Sequence, residues 1–321
     1  MEKLGCTVVT SRLDTREEPL YENHFREWRV VTDADTMKLY RKFDDNIHWK
    51  ADLLSYKKDD PSIDYYVAGS DQLWNPIFNF GSDREFLRFT KPEKRIAYAA
   101  SIGIKELPLE SIDNFRNGFE GIENITMREN AGADIVETLT KKRPGVVLDP
   151  TMLLDDKDWD KIAESSNVKL DENFVVKYIL GIHNPELDTM VDDYAREHGC
   201  KVIDLIKHES AGINGIGPAE FLYLSKHSKA NFVDSYHGAV FSILFKKPFL
   251  AFYRPAQKEY GDMNSRFETL FDTFNLKNHF ISEKEEFGTI YDDIDYERID
   301  AILDTKRDEA KEYLLHSLKL D

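Results

Sequence analysis

Short apolar and β-branched runs, each closed by Gly, Ser, Asp or Asn, alternate along the chain with segments whose apolar positions recur every three or four residues. The runs predict strands at 65–68, 95–99, 125–127, 146–148, 174–182, 201–205, 231–233 and 248–252. Their near-continuous apolarity is that of parallel strands covered on both faces. Helical spacing fills the gaps at 109–120, 130–139, 158–165, 186–198, 218–228, 235–245 and 265–274. Two helix starts are chemically signed. Pro218 occupies a first-turn position with Glu220 just inside, and Asp234-Ser235 offer capping oxygens before Ala239-Val240-Phe241. Strands alternating with helices predict an α/β layered fold.

With 321 residues the chain exceeds what one core usually serves. A charged stretch at 154–173 separates the early strands from the later ones, which predicts two α/β domains, 1–165 and 166–321. The tail at 295–318 reads as one amphipathic helix able to pack back on the first domain.

Charge removes several classes of partner. Against 43 Lys and Arg stand 60 Asp and Glu, a net charge of −17. Such a surface repels phosphate backbones and anionic lipid headgroups, and the longest basic runs, Lys141-Lys142-Arg143 and Lys246-Lys247, are too short to track a polyanion. Nucleic acid is therefore excluded as a partner. Cys6 and Cys200, the two cysteines, lack the spacing of a disulfide framework or a zinc site and are expected to be buried thiols. No stretch resembles a signal peptide or a membrane span, so a cytoplasmic address is expected.

In open α/β sheets ligands gather beyond the carboxyl ends of the strands. Five such loops are unusually polar: Gly69-Ser70-Asp71-Gln72, Ser101-Ile102-Gly103, Arg128-Glu129-Asn130, Asp149-Pro150-Thr151, and Asp234-Ser235-Tyr236-His237-Gly238. His237, at a helix start, suits a general acid/base or a local cap, and Gly238 admits a ligand to the backbone or serves helix packing. Arg128 is placed to clamp a carboxylate or phosphate, or to pair internally with Glu129 or Asp149, and Arg266 could add a second cation. Asp71 and Gln72 precede Trp74, an indole that either stacks on a sugar face or joins the core. The Asp149 turn reads as structural. Gly215-Ile216-Gly217-Pro218 looks like a phosphate loop but lacks dinucleotide and P-loop spacing.

Seven segments in order resemble the polysaccharide pyruvyl transferase family. They are GSDQLWNP at 69–76, AYAASIG at 97–103, MREN at 127–130, LDPTMLL at 148–154, GPAEFLYL at 217–224, NFVDSYHGAVFSILFKKPF at 231–249 and MNSR at 263–266. The resemblance implies two Rossmann-like domains facing a cleft, as in the glycosyltransferase-B group. It implies transfer of pyruvate from phosphoenolpyruvate, without a cofactor or metal, onto two hydroxyls of a sugar in a polysaccharide or lipid-linked precursor, as a cyclic ketal. A lipid-linked acceptor would recruit the enzyme to a membrane surface. In that reading His237 is the general acid/base; Arg128, Arg266, Ser235, Gly238, Gly217 and Glu220 line the donor side; and Asp71, Gln72, Trp74, Asn75 and Ser101 line the acceptor side. Two departures stand out. Family members usually begin with a strand, a Gly-rich turn and a helix ending near Lys3-Leu4-Gly5, so the first strand and most of the first helix are expected to be missing. Leu276-Lys277-Asn278-His279 stands where the family often carries an arginine. The rival readings are a nucleotide-sugar glycosyltransferase, with Glu220 on a ribose, and a non-catalytic glycan-binding relative.

Overall fold

The computed structural model describes residues 1–10, 34–44, 59–78, 81–182, 184–254, 262–281 and 294–320. Two sheets emerge. The first holds β1 (Tyr66–Ala68), β2 (Arg95–Ala100), β3 (Asn124–Met127) and β4 (Gly145–Val146) in the order β1-β2-β3-β4, every pairing parallel. The second holds β5 (Phe174–Tyr178), β6 (Lys201–Asp204), β7 (Asn231–Val233), β8 (Phe249–Phe252) and β9 (Phe280–Ile281) in the order β6-β5-β7-β8-β9, again all parallel. In this order the chain reverses direction across the sheet between β5 and β7, which makes their carboxyl ends the switch point where doubly wound sheets place ligands.

The helices among the described residues are α1 (Ala34–Asp44), α2 (Ile112–Phe119), α3 (Asn130–Thr140), α4 (Asp156–Ala163), α5 (Pro185–Glu197), α6 (Pro218–His227), α7 (Tyr236–Leu244), α8 (Ser265–Phe274) and α9 (Tyr296–Ser317). Burial on both faces of each sheet accounts for the continuous apolar strand sequences. On the first sheet, Ala97, Ala100 and Met127 meet Trp74, Phe86, Phe115 and Phe119 on one face, while Tyr98 and Ala99 meet Ala310 and Leu314 on the other. On the second, Val175, Phe232 and Leu250 pack on Leu187, Val191 and Tyr194 of α5, and Val176, Val233 and Ala251 share a core with α6, α7 and α8.

Several elements differ from the sequence pattern. The run at 174–182 leaves the sheet after Tyr178 because the next N–H groups, of Leu180 and Gly181, turn onto the Asp234 carboxylate at 2.6 and 2.7 Å. Helix α4 begins at Asp156 rather than Asp158, since the Asp155 carboxylate caps it by accepting from the Asp158 N–H. The charged stretch around it is no free linker: Ala163 enters the core beneath the second sheet, and Trp159 packs edge-on against Phe241. Helix α9 spans both sheets. Ile299 and Leu303 join the second core, Leu314 packs by β2, and Arg307 donates to the Met152 and Leu154 carbonyls at 2.8 and 2.6 Å. Helix α1, with a weak apolar pattern, was not foreseen; it lies across the start of α6, where Thr36 accepts from the Ile216 N–H at 3.0 Å. Both cysteines are half-buried rather than buried. Among the described residues no helix is long and apolar enough to cross a membrane.

Candidate active site

The carboxyl ends of the two sheets meet. Arg128, just past β3, lies with its guanidinium carbon 4.4 Å from the centre of the Tyr236 ring at the start of α7. Asp149, just past β4, reaches His237 Nε2 at 3.7 Å. The loops from 69, 101, 128, 149 and 234 thus converge, and α8 brings Arg266 to the same place, its guanidinium carbon 5.9 Å from the Tyr236 ring centre.

Both terminal nitrogens of Arg128 are engaged by carboxylates. Its side chain is wholly buried, with Nη1 on Asp149 at 2.7 Å and Nη2 on Asp71 at 3.0 Å. Although its burial opposes charge, the two carboxylates hold its pKa above the ordinary arginine value. Asp149 divides its work. Oδ1 accepts from the Thr151 N–H and hydroxyl, which caps the turn as its sequence suggested, while Oδ2 meets Arg128, Ser70 Oγ at 3.3 Å and His237. Burial alone would raise the Asp149 pKa, but His237, Arg128 and Thr151 outweigh it and keep this carboxyl well below the usual range.

Asp71 has its backbone in the left-handed region at φ 58° and leaves 65% of its side chain accessible. Desolvation opposes its ionisation, yet Arg128, His237 and Arg266 hold it down to about 2. A folded pKa below the unfolded value of about 3.9 contributes stability that is complete above that value and lost as the pH falls toward the folded one. The stability difference between wild type and Asp71→Asn, measured by denaturant unfolding from pH 5 to 2, is therefore expected to be largest above about pH 4 and to close by about pH 2. A difference constant across that range would contradict the pairing.

Arg266 is the opposite of Arg128. It is 6% exposed, and among the described residues its side chain makes one hydrogen bond, a 3.4 Å contact from Nη2 to the Met263 carbonyl. No carboxylate lies within ion-pair distance among the described residues, and burial together with the charge of Arg128 pushes its pKa down to about 10. It remains a cation at neutral pH, with the charges of Asp71 and Glu129 acting on it from beyond ion-pair distance. Orphaned groups gather around it. Of the nine buried side-chain polar atoms lacking a partner among the described residues, six belong to Ser101, Arg128, Glu129, Arg254, Ser265 and Arg266. Native proteins satisfy most such atoms with protein groups or water, so this concentration is a place where a polar molecule could bind. A hollow of about 210 Å³ adjoins the cluster, lined in part by Arg128, Asp149, Tyr236, Thr269 and Lys306. A larger one of about 450 Å³ shares only Phe274 with it and contains none of the clustered charges.

The other expected site residues separate into two groups. Ser235 caps α7 with Oγ facing the Gly238 N–H at 3.4 Å, which places the helix N-terminus and His237 at the cluster. Gly238 packs tightly on β7, where an added Cβ would meet Val233 Cγ1 at 2.9 Å. Ser101 braces the Asp71 loop through its backbone, its N–H donating to the Asp71 carbonyl at 3.0 Å. Trp74, by contrast, is fully buried among Phe86 and Phe119, with Nε1 donating to the Glu85 carbonyl at 3.1 Å. Gln72 and Asn75 bond to each other at 2.7 Å over Gly103, whose φ of 75° and lack of a Cβ admit the Gln72 amide oxygen. Both Glu220 oxygens are taken, by the Gly217 N–H at 3.2 Å and the Asn167 N–H at 3.0 Å, and Leu39 of α1 covers Gly217.

Tyr236, Glu129 and Asp234 were not singled out as functional from sequence. Glu129 accepts from the Ile102 and Gly103 N–H groups at 2.8 and 3.0 Å and joins the β2 and β3 loops. The Tyr236 hydroxyl is pushed well above its ordinary pKa, mainly by burial, so its ring acts as a neutral face for the two guanidinium groups. Among the described residues no group of three or more His, Cys, Asp or Glu side chains could hold a metal ion. No curated protein matches the chain. A family model described as polysaccharide pyruvyl transferase matches residues 5–255, a span that holds the first sheet, the second sheet up to β8 and the five converging loops. The chain belongs to the polysaccharide pyruvyl transferase family.

Proposed function

We propose that the chain transfers pyruvate from phosphoenolpyruvate onto two hydroxyls of a sugar in a polysaccharide or its lipid-linked precursor, forming a cyclic ketal. The observation that carries the reading is Arg266, a buried cation with no carboxylate within ion-pair distance among the described residues, beside a cluster of side-chain polar atoms that lack protein partners there. A small trianionic donor supplies what that arrangement lacks. The first sheet belongs to an acceptor-side unit and the second to a donor-side unit in a glycosyltransferase-B-like pair, with α4 packing on the donor side of the 165/166 boundary and the end of α9 on the acceptor side. A cytoplasmic enzyme reaching a lipid-linked acceptor at the membrane surface fits this chemistry.

The reaction balances with one proton shuttle. An acceptor hydroxyl oxygen bonds to C2 of the enol while the methylene carbon takes a proton and becomes methyl. The second hydroxyl oxygen then bonds to C2 as the C2–O bond to phosphate breaks, and its proton leaves with the phosphate. Asp149 faces His237 Nε2 and leaves the other ring nitrogen for substrate, with 35% of the side chain accessible. His237 supplies the methylene proton and takes the first hydroxyl's proton; ionised Asp71, open to the cleft, orients the hydroxyls. His237→Gln is expected to lower turnover by about 10²- to 10⁴-fold with donor affinity nearly unchanged. The check is phosphate release and acid-labile ketal formation with a glycan acceptor, alongside phosphoenolpyruvate binding to the same variant. Turnover that survives the substitution would remove His237 from the chemistry.

A nucleotide-sugar glycosyltransferase fits less well. The Glu220 carboxylate expected to touch a ribose is consumed by backbone N–H groups, and the N–H groups at the β5–β7 switch point are consumed by Asp234. A non-catalytic glycan-binding relative would bind sugar yet leave phosphoenolpyruvate unbound.

A further inference from the structure

We propose that Arg254 is a donor-binding residue, the partner cation to Arg266, and that it receives the phosphate end of a phosphorylated, carboxylated donor. The inference rests on the pyruvyl-transfer reading and adds to it a residue and a division of the donor between two arginines.

Charge distribution leads there. Arg128 faces two carboxylates, so little of its charge is left for a ligand, and Arg266 alone is one cation against a donor with two anionic groups. Arg254, just past β8, is the other guanidinium whose charge Arg266 feels. Nη2 donates to the Asp234 carbonyl at 2.8 Å and to Asp234 Oδ1 at 3.1 Å, whereas Nε is buried without a partner among the described residues. Asp234 pairs with the guanidinium through Oδ1 at 3.1 Å, and the same carboxylate also accepts the Leu180 and Gly181 N–H groups. Gly181 must lack a side chain here, since a Cβ would lie 2.8 Å from Asp234 Oδ2.

The two cations are built as a unit. Asn264, fully buried, accepts from the Arg254 N–H at 3.0 Å and donates to the Arg254 carbonyl at 2.7 Å, and it is itself held by Asp262 at 2.7 Å. Two residues on, α8 presents Arg266. One side chain thereby fixes the backbone that carries Arg254 relative to the helix that carries Arg266. The Arg254 hydrogen bond to the Asp234 carbonyl also sets it beside the N-terminus of α7, where the first N–H groups and the helix dipole favour an anion. The carboxylate end of the donor then falls to Arg266, by the Tyr236 ring and His237.

The test is calorimetric binding of three probes, inorganic phosphate, pyruvate and phosphoenolpyruvate, to the full chain and to Arg254→Gln and Arg254→Lys. The expected result for Arg254→Gln is a loss of about tenfold or more in affinity for phosphate and for phosphoenolpyruvate, with pyruvate affinity changed by less than about twofold. Arg254→Lys should recover part of the phosphate affinity, because it restores the charge without the fork. Equal losses for pyruvate and phosphate, or no loss for either, would overturn the assignment. Should Arg254→Gln fail to fold, Arg254→Lys carries the test: phosphate affinity weakened relative to pyruvate supports the assignment, and unchanged selectivity overturns it. If the wild type binds phosphate in an Arg254-dependent way but ignores phosphoenolpyruvate, the phosphate subsite stands and the pyruvyl-transfer reading falls.

Discussion

Arg266→Met is expected to cost the protein its donor while leaving the fold at least as stable as the wild type. Arg266 is 6% exposed and has no carboxylate within ion-pair distance among the described residues, so the desolvation of its charge is only partly offset, by the more distant Asp71 and Glu129. A methionine of similar length removes the penalty and keeps a side chain beside Tyr236. The same change removes the cation that a bound anion would satisfy. Truncating one partner of a buried charge pair typically weakens binding by about 3 kcal/mol or more, a hundredfold in dissociation constant. Thermal unfolding without ligand and titration with phosphoenolpyruvate measure the two halves separately. A variant that unfolds at lower temperature than the wild type would show that Arg266 is structural.

Arg128→Met should do the reverse and damage the fold first. Its guanidinium holds Asp71 at 3.0 Å and Asp149 at 2.7 Å, and Asp149 is itself 2% exposed. Removing the cation leaves a buried carboxylate without its counter-charge, for which the usual cost is about 3–5 kcal/mol. Denaturant unfolding at neutral pH gives this number directly. Adding Asp149→Asn to Arg128→Met is expected to recover part of the loss, because the unpaired charge goes with it. A single variant as stable as wild type would mean that the ion pairs contribute nothing to the fold. The contrast between the two arginines separates a residue that organises the site from one that waits for a ligand.

Much of this site could be read from the chain, and the part that could not has a common cause. The loops at 69, 101, 128, 149 and 234 were visible because apolar parallel strands end abruptly in polar residues, and strand ends are where such sheets place ligands. Asp71, Arg128, His237 and Arg266 do converge. What the sequence conceals is the relation between distant loops. Arg128 was the more obvious clamp in sequence, yet Asp71 and Asp149, 57 and 21 residues away, occupy it, and Arg266, an unremarkable residue at a helix start, is left free. Asp149 looked like a turn residue and is one through Oδ1; its second oxygen turns toward His237 on the other sheet.

Neighbours in sequence also part company. Asp71 opens to the cleft while Trp74, three residues later, closes into the aromatic core against Phe86 and Phe119. A tight turn at the end of β1 sends successive side chains in opposite directions, and composition alone does not say which. The loop at 215–218 had the glycines of an anion cradle, but α1 lies on it, with Thr36 accepting from the Ile216 N–H and Leu39 over Gly217. That docking joins residues some 180 apart, and the sequence pattern of either segment carries no trace of it.

The proposed phosphoenolpyruvate site lies at the carboxyl ends of the two sheets, around Arg266. Isothermal titration of the full chain with phosphoenolpyruvate, beside UDP-glucose and with Arg266→Met as control, tests this most directly. The account predicts saturable binding of phosphoenolpyruvate, none of UDP-glucose, and loss of the signal in the variant. Saturable binding of UDP-glucose with no response to phosphoenolpyruvate would contradict it.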